Sequence, residues 1–225
     1  MDKVLLLSFI EDTYRTFKCY KSLYLFKYFK TINKVFNKIN IDNKYDNKIH
    51  MNNEIYSYEY DFDIYGTYRI DIDVSSLLIL IDKGKIKPKR FKSNEIKFDF
   101  IYHESPCFFI ESVNYNSKVI ITEFISINYN YAIIDGNHTY EKYINQGEIF
   151  DMYYIPYYEI PRKCYCNDFS YVFHYIINEL NFVFAIKNKK QQKLKVKNSR
   201  IYLIDKEIDH LFWFTKNNIF FFFFF

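Results

Sequence analysis

Glycine constrains this chain more than any other residue, because there are only four in 225 positions: Gly66, Gly84, Gly136 and Gly147. A phosphate-binding loop of the Gly-x4-Gly-Lys-Ser/Thr kind needs two glycines five apart, and a dinucleotide fingerprint needs three at fixed offsets. No spacing here fits either pattern, so both of those nucleotide motifs are excluded. Gly136 and Gly147 stand at the two ends of one helical pattern and mark where it starts and stops.

The hydrophobic fraction of 49% and charged fraction of 26% are those of a folded domain rather than a disordered chain. Aromatic residues reach 22%, with 24 Tyr and 25 Phe. The accompanying excess of Ile, Asn and Lys is what AT-rich coding gives, so the aromatics are background and not a sign of base stacking or sugar binding. Formal charge is 31 − 27 = +4, which permits a polyanionic partner without demanding one. Met1 to Ile10 carries Asp2 and only a short apolar run, unlike a signal peptide. No stretch reaches roughly 18 uncharged apolar residues. A cytoplasmic protein without a transmembrane segment is therefore expected. Cys164 and Cys166 form a Cys-x-Cys pair rather than the Cys-x2-Cys of a zinc knuckle; with Cys19 and Cys107 they are expected to be reduced, partly buried thiols, and no metal site is assigned.

From Val4 to about Ile39 apolar residues recur at helical spacing, which predicts one long or two shorter amphipathic helices. Lys27, Lys30, Lys34 and Lys38 make a stripe that suits a nucleic acid, an anionic lipid surface or simply solvent. Asn40 to Asn53 resembles a linker. From Glu54 the period becomes two, and Tyr56 to Ile64 and Tyr68 to Asp73 predict a hairpin around Gly66 whose carboxylates, Asp71 and Asp73 included, form a wet face. Ser75 or Ser76 is expected to cap a short helix that ends at Gly84. Strands are expected over Cys107 to Val113, Lys118 to Ile127, Tyr131 to Ile134 and Met152 to Tyr157. A helix is expected from Phe169 to Leu180, then a strand pair around Asn198-Ser199 and a helix over Asp209 to Thr215. Lys187, Lys189, Lys190, Lys193, Lys195, Lys197 and Arg200 have no acidic residue among them, and form a candidate phosphate-backbone contact with a solvated hairpin as the alternative. The Phe220 to Phe225 run fits a T tract and is given no function.

One segment has the layout of a chemical site: a strand ending in Ile133-Ile134, then Asp135-Gly136-Asn137-His138-Thr139, then a helix with Tyr140, Tyr143 and Ile144 on one face. The first amides of such a helix are unpaired and lie at the positive end of its dipole, so the turn suits a phosphate. Gly136 allows the turn and the close approach of a ligand, Asn137 can cap the helix, and His138 can donate to an anion or carry a proton near neutral pH. Asp135 can orient His138, hold a metal-bound water or accept from a ribose hydroxyl. An ordinary polar-capped turn is the plain alternative.

The run Ile133-Ile134-Asp135-Gly136-Asn137-His138, with the following helix and the strand beyond Gly147, resembles the Asp-Gly-Asn-His-Arg box of the ParB-like nuclease and sulfiredoxin superfamily. The resemblance covers about Tyr68 to Ile160. It implies an α+β fold: a ParB/sulfiredoxin-like small mixed sheet with helices over residues 54–160, flanked by a helical N-terminal region and linker (1–53) and a small basic α/β C-terminal extension (161–225). It further implies phosphate binding by Gly136, Asn137, His138, Thr139 and Lys142, with His138 and Asp135 as catalytic candidates. A nucleoside triphosphate (CTP or ATP), with a divalent metal, is the implied cofactor, and a nucleotide or nucleic acid the implied partner. Thr139 stands where that box has arginine, and Asn137 where sulfiredoxins have their reactive cysteine. Whether the box cleaves anything, as a nucleotide-dependent phosphohydrolase or nuclease would, is left open. Asp135-Gly136-Asn137-His138-Thr139-Tyr140-Glu141 is also similar to the Asp-Gly-x-His-Ser/Thr-Tyr-Glu box of a class of S-adenosylmethionine-dependent methyltransferases, which need an upstream glycine-rich loop that Gly66 and Gly84 do not supply. A non-enzymatic nucleic-acid-binding module with a degenerate box, using Lys187 to Arg200 and the Lys27 to Lys38 face, is a third alternative, and a structural domain that takes no ligand a fourth.

Overall fold

The computed structural model describes residues 3–17, 22–39, 53–95, 101–102, 118–124, 130–186 and 188–208. The chain is an α+β protein that divides into two units, one of Met1–Lys44, Glu59–Tyr68 and Glu179–Phe225, the other of Tyr45–Tyr58 and Arg69–Asn178.

In the first unit the N-terminal periodicity becomes two helices, α1 (Lys3–Thr16) and α2 (Leu23–Lys38). Leu25, Tyr28, Phe29, Ile32, Val35 and Phe36 of α2 are buried at three- and four-residue spacing, as an amphipathic helix requires. Phe17 packs its ring 5.7 Å from that of Phe29. The lysine stripe of α2 is partly consumed internally. Lys34 and Lys38 donate to Asp205 at 2.8 and 3.0 Å, and Lys27 lies 5.8 Å from the centroid of the Tyr202 ring.

The expected strand pair around Asn198-Ser199 is instead a turn between two helices, α6 (Lys189–Lys197) and another over residues 201–208. Asn188 caps α6, its side-chain oxygen accepting from the amides of Lys190 and Gln191, and Gln192 and Val196 are buried four residues apart. The Glu179 carboxylate accepts from the Tyr28 and Ser199 hydroxyls and from the Arg200 amide, the last at 2.9 Å, fixing the entrance to the helix at 201–208.

The predicted hairpin is present as β1 (Ile55–Asp61) and β2 (Thr67–Asp73), joined through a 3-10 turn at Asp63–Tyr65 and Gly66. Its tyrosines face inward as expected, but Asp71 and Asp73 are not on a wet face: both are buried. Burial is made possible by partners. Asp71 accepts from Ser57 and Arg69, and Asp73 accepts from Asn53 and from the amide and hydroxyl of Ser76. Asp73, rather than Ser75 or Ser76, is therefore the N-cap of α3 (Val74–Asp82).

The second unit is built on a five-stranded mixed sheet of β3 (Lys89–Lys92), β4 (Ile101–Tyr102), β5 (Val119–Glu123), β6 (Tyr131–Asp135) and β7 (Asp151–Tyr154), in the order β3-β7-β5-β6-β4. β3 and β7 are antiparallel, as are β5 and β6, whereas β7 and β5, and β6 and β4, are parallel. Helix α4 (Asn137–Gln146) follows β6 and puts Tyr140 into a buried cluster with Val119, Ile121, Ile133, Phe150 and Met152. Helix α5 (Asp168–Ala185) begins in this unit and ends in the other. The strand expected at Cys107 to Val113, the end of the one at Lys118 to Ile127, the helix at Asp209 to Thr215 and the Phe run lie outside the described residues.

Candidate functional site

Strand β6 carries Asp135 to its end, and Gly136 turns the chain with φ +84°. A Cβ on Gly136 would stand 2.5 Å from the Lys118 carbonyl oxygen and 2.9 Å from the Val119 Cα. The close approach that demands glycine is thus made by the protein's own β5 and not by a ligand. Helix α4 starts at Asn137, which places Gly136, not Asn137, at the cap position; the Gly136 carbonyl accepts from the Tyr140 amide at 2.9 Å. Asn137 Oδ1 is shielded from solvent and has no hydrogen-bond partner among the described residues. His138 is half-buried and Thr139 buried.

The Asp135 carboxyl is pushed up to about 6, first by burial and then by the nearby Glu54 carboxylate, against a hydrogen bond from the Gly136 amide. Near neutral pH the turn therefore holds a carboxylate poised to take up a proton.

Beside the turn lies a cleft of about 380 Å3. Thr139 and Tyr143 of α4, Lys92 of β3, Lys118, and Asp151 and Tyr153 of β7 line it. The Tyr143 ring stacks on Phe150 with centroids 5.1 Å apart, and Lys118 Nζ lies 5.8 Å from the Tyr153 ring centroid. Asp151 accepts from Arg90 and stands 2.9 Å from Lys92 Nζ. Those two cations, Arg90 foremost, hold the Asp151 carboxyl down to about 2. With Glu148 also in the wall, two carboxylates offset the two lysines, so Lys118 is the cleft cation not already committed to Asp151.

Of the box residues only Thr139 lines the cleft; Asp135, Gly136, Asn137 and His138 form the turn beside it, and Lys142 places Nζ 5.7 Å from the Tyr143 ring. No motif singles out Lys92, Lys118 or Asp151, since they come together only through sheet pairing. The C-terminal cations lie in the other unit: Lys189, Lys190, Lys193 and Lys197 of α6 and Arg200 in the turn beyond it are exposed, and Lys195 sits half-buried with Nζ 5.7 Å from the Phe182 ring. Lys187 lies outside the described residues.

Two further groups of reactive side chains are inert. Cys164 and Cys166 are buried free thiols whose pKa burial pushes up to about 12, which keeps them protonated; Cys19 and Cys107 are outside the described residues. His174 is fully buried, with Nε2 2.7 Å from the Glu123 carbonyl oxygen and Nδ1 2.8 Å from the Tyr165 hydroxyl. A carbonyl only accepts, so Nε2 carries the proton and Nδ1 accepts from Tyr165. Burial lowers the His174 pKa to about 4. Among the described residues no group of three or more His, Cys, Asp and Glu is arranged to hold a metal ion, and no helix is long and apolar enough to cross a membrane.

No family model, curated protein or solved structure matches this chain.

Proposed function

We propose that the second unit is a ParB/sulfiredoxin-like domain that binds the phosphates of a nucleotide in the cleft beside the Asp135 to Thr139 turn. The observation that carries the reading is the convergence of Thr139, in the first turn of α4, with Lys118 and Lys92 on one open cleft next to a strand-to-helix turn in a small mixed sheet. The helix N-terminus and Lys118 supply positive potential, Thr139 a hydroxyl donor, and Tyr143 and Tyr153 aromatic faces for a base. A divalent cation arrives, in this reading, with the triphosphate rather than on a protein site. His138 and Asp135 remain the candidates for proton transfer, and no reaction is assigned to them. The mixed order of the sheet supports this reading over the methyltransferase, which calls for a mostly parallel doubly wound sheet.

The test is thermal protection of the full chain by CTP, ATP and GTP. Protection by at least one of them, lost in Lys118→Ala and Thr139→Val, is the expected result; equal protection in those variants sinks the cleft as the site. Gly136→Asp is unsuitable, because its side chain would collide with β5 and unfold the turn whatever it binds.

The second reading, a non-enzymatic polyanion-binding module, is favoured by one feature: α6 presents Lys189, Lys193 and Lys197 four residues apart, about 6 Å per step along the axis, with no acidic residue in the helix. It predicts salt-sensitive nucleic-acid binding that survives His138→Ala and disappears when the α6 lysines are neutralised.

A further inference from the structure

The densest positive charge in the described structure lies on neither the box nor α6. Lys83, Lys85, Lys87, Lys89, Arg90 and Lys92 fall within ten consecutive residues with no acidic residue between them, and all six are exposed. The segment leaves the end of α3 and runs into β3, which stands last in the sheet order among the described residues. Asp151 engages Arg90 and Lys92, the second of which lines the cleft. Lys83, Lys85, Lys87 and Lys89 have no ion pair among the described residues, so four exposed cations stand at alternate positions along the connection from α3 to the first residue of β3. Holding them together costs electrostatic repulsion that a polyanion would relieve.

The neighbouring side chains choose among polyanions. Within the segment Ile86 is buried and Phe91 half-buried, so there is no exposed apolar anchor of the kind an interfacial membrane contact or a protein hot spot needs. The segment is not helical, and an edge that tracks a backbone suits a single strand better than the major groove of a duplex, which admits a helix or a two-stranded ribbon. Tyr153, paired with Arg90 across β3 and β7, lies in the cleft wall on the Arg90 and Lys92 side of the strand, so it offers a base a stacking face only at the cleft end of the track. We infer that Lys83 to Lys92 is a docking surface for the phosphate backbone of a single-stranded nucleic acid. Lys83, Lys85, Lys87 and Lys89 are not in the cleft lining, so the inference does not depend on the cleft taking a nucleotide, and it makes no use of α6.

The experiment is fluorescence anisotropy of a labelled oligothymidylate titrated with the full chain at several salt concentrations. The wild type binds with an affinity that falls with salt. Replacing Lys83, Lys85, Lys87 and Lys89 together by glutamine weakens binding by about tenfold or more and makes the log-log salt slope shallower by about 3, near 0.7 per lost phosphate contact. The same four positions changed to arginine keep the wild-type affinity, which separates loss of charge from loss of fold. Neutralising Lys189, Lys190, Lys193 and Lys197 on α6 leaves a difference between wild-type and variant edge intact. Wild-type affinity in the glutamine variant overturns the inference. So does a chain that ignores the oligonucleotide but binds phosphatidylserine vesicles through the same lysines.

Discussion

Gly136 and Gly147 bracket α4 in the same left-handed region, yet they are not equivalent. At Gly136 a Cβ would press 2.5 Å from the carbonyl oxygen of Lys118, the residue before β5, whereas at Gly147 nothing lies within 4 Å. Gly147→Ala should cost about 1 kcal/mol, the penalty of left-handed backbone alone. Gly136→Ala adds overpacking against a strand that cannot yield and should cost about 3 kcal/mol, and urea unfolding of the two variants checks the gap. The sequence places both glycines correctly as helix boundaries, but cannot say which of them touches a neighbour, because that neighbour is far away along the chain. His174 gives a residue-scale pH effect. Its pKa is lowered to about 4 from an ordinary 6.5, so its neutral form belongs to the fold. The stability it supports is full above pH 6.5 and is lost as the pH falls toward 4, by about 3 kcal/mol. Asp135, raised to about 6, acts in the opposite sense over much the same range, favouring the fold as it takes up a proton. The His174 share is therefore read as the wild-type difference from His174→Gln in urea titrations at pH 7 and pH 4.5; the gap between the two proteins should narrow at the lower pH.

At the level of elements, α1, α2, the β1–β2 hairpin, α3, β6, α4 and α5 are all legible from periodicity, because each has an apolar face made of apolar residues. Helix α6 is not, since its inward positions include Gln192, whose amide donates to the Val183 carbonyl at 3.0 Å, a polar burial that no hydropathy pattern reveals. The alternation of Leu194 and Val196 with lysines then imitates a strand. If the Asn188 cap starts this helix, Asn188→Ala should cost about 1 kcal/mol and lower far-UV helical signal before the main thermal transition. The buried Asp71 and Asp73 show the converse limit: period two on β2 is real, but serine, asparagine and arginine partners allow the polar positions to be covered as well. Of the candidate site, the turn itself is legible and the cleft is not. Lys92, Lys118 and Thr139 are brought together by β3–β7, β5–β7 and β5–β6 pairing, which a local pattern does not encode. The lysine run of the β3 edge, in contrast, is visible in the sequence as six cations in ten residues.

Across the whole molecule, stability rests on a few buried charges as well as on the aromatic core. Glu179 is the clearest case in the first unit, since its carboxylate joins Tyr28 on α2 to Ser199 and Arg200 at the start of the helix over 201–208. Removing it takes away the acceptor of the buried Ser199 hydroxyl, at about 1–3 kcal/mol for a buried group left unsatisfied. Glu179→Ala should thus release amide protection at residues 201–208 by hydrogen exchange, while the β5 and β6 amides of the second unit keep theirs. Equal loss in both units would show that the carboxylate supports the molecule as a whole.

The charged rim of β3 bears on a different hazard. In a chain with 22% aromatic residues, a strand at the end of a sheet is a template on which a second molecule can pair. Lys89, Arg90 and Lys92 make that edge repel its own copy, so the concentration at which the protein self-associates into β-rich aggregates should be governed by ionic strength more than by temperature.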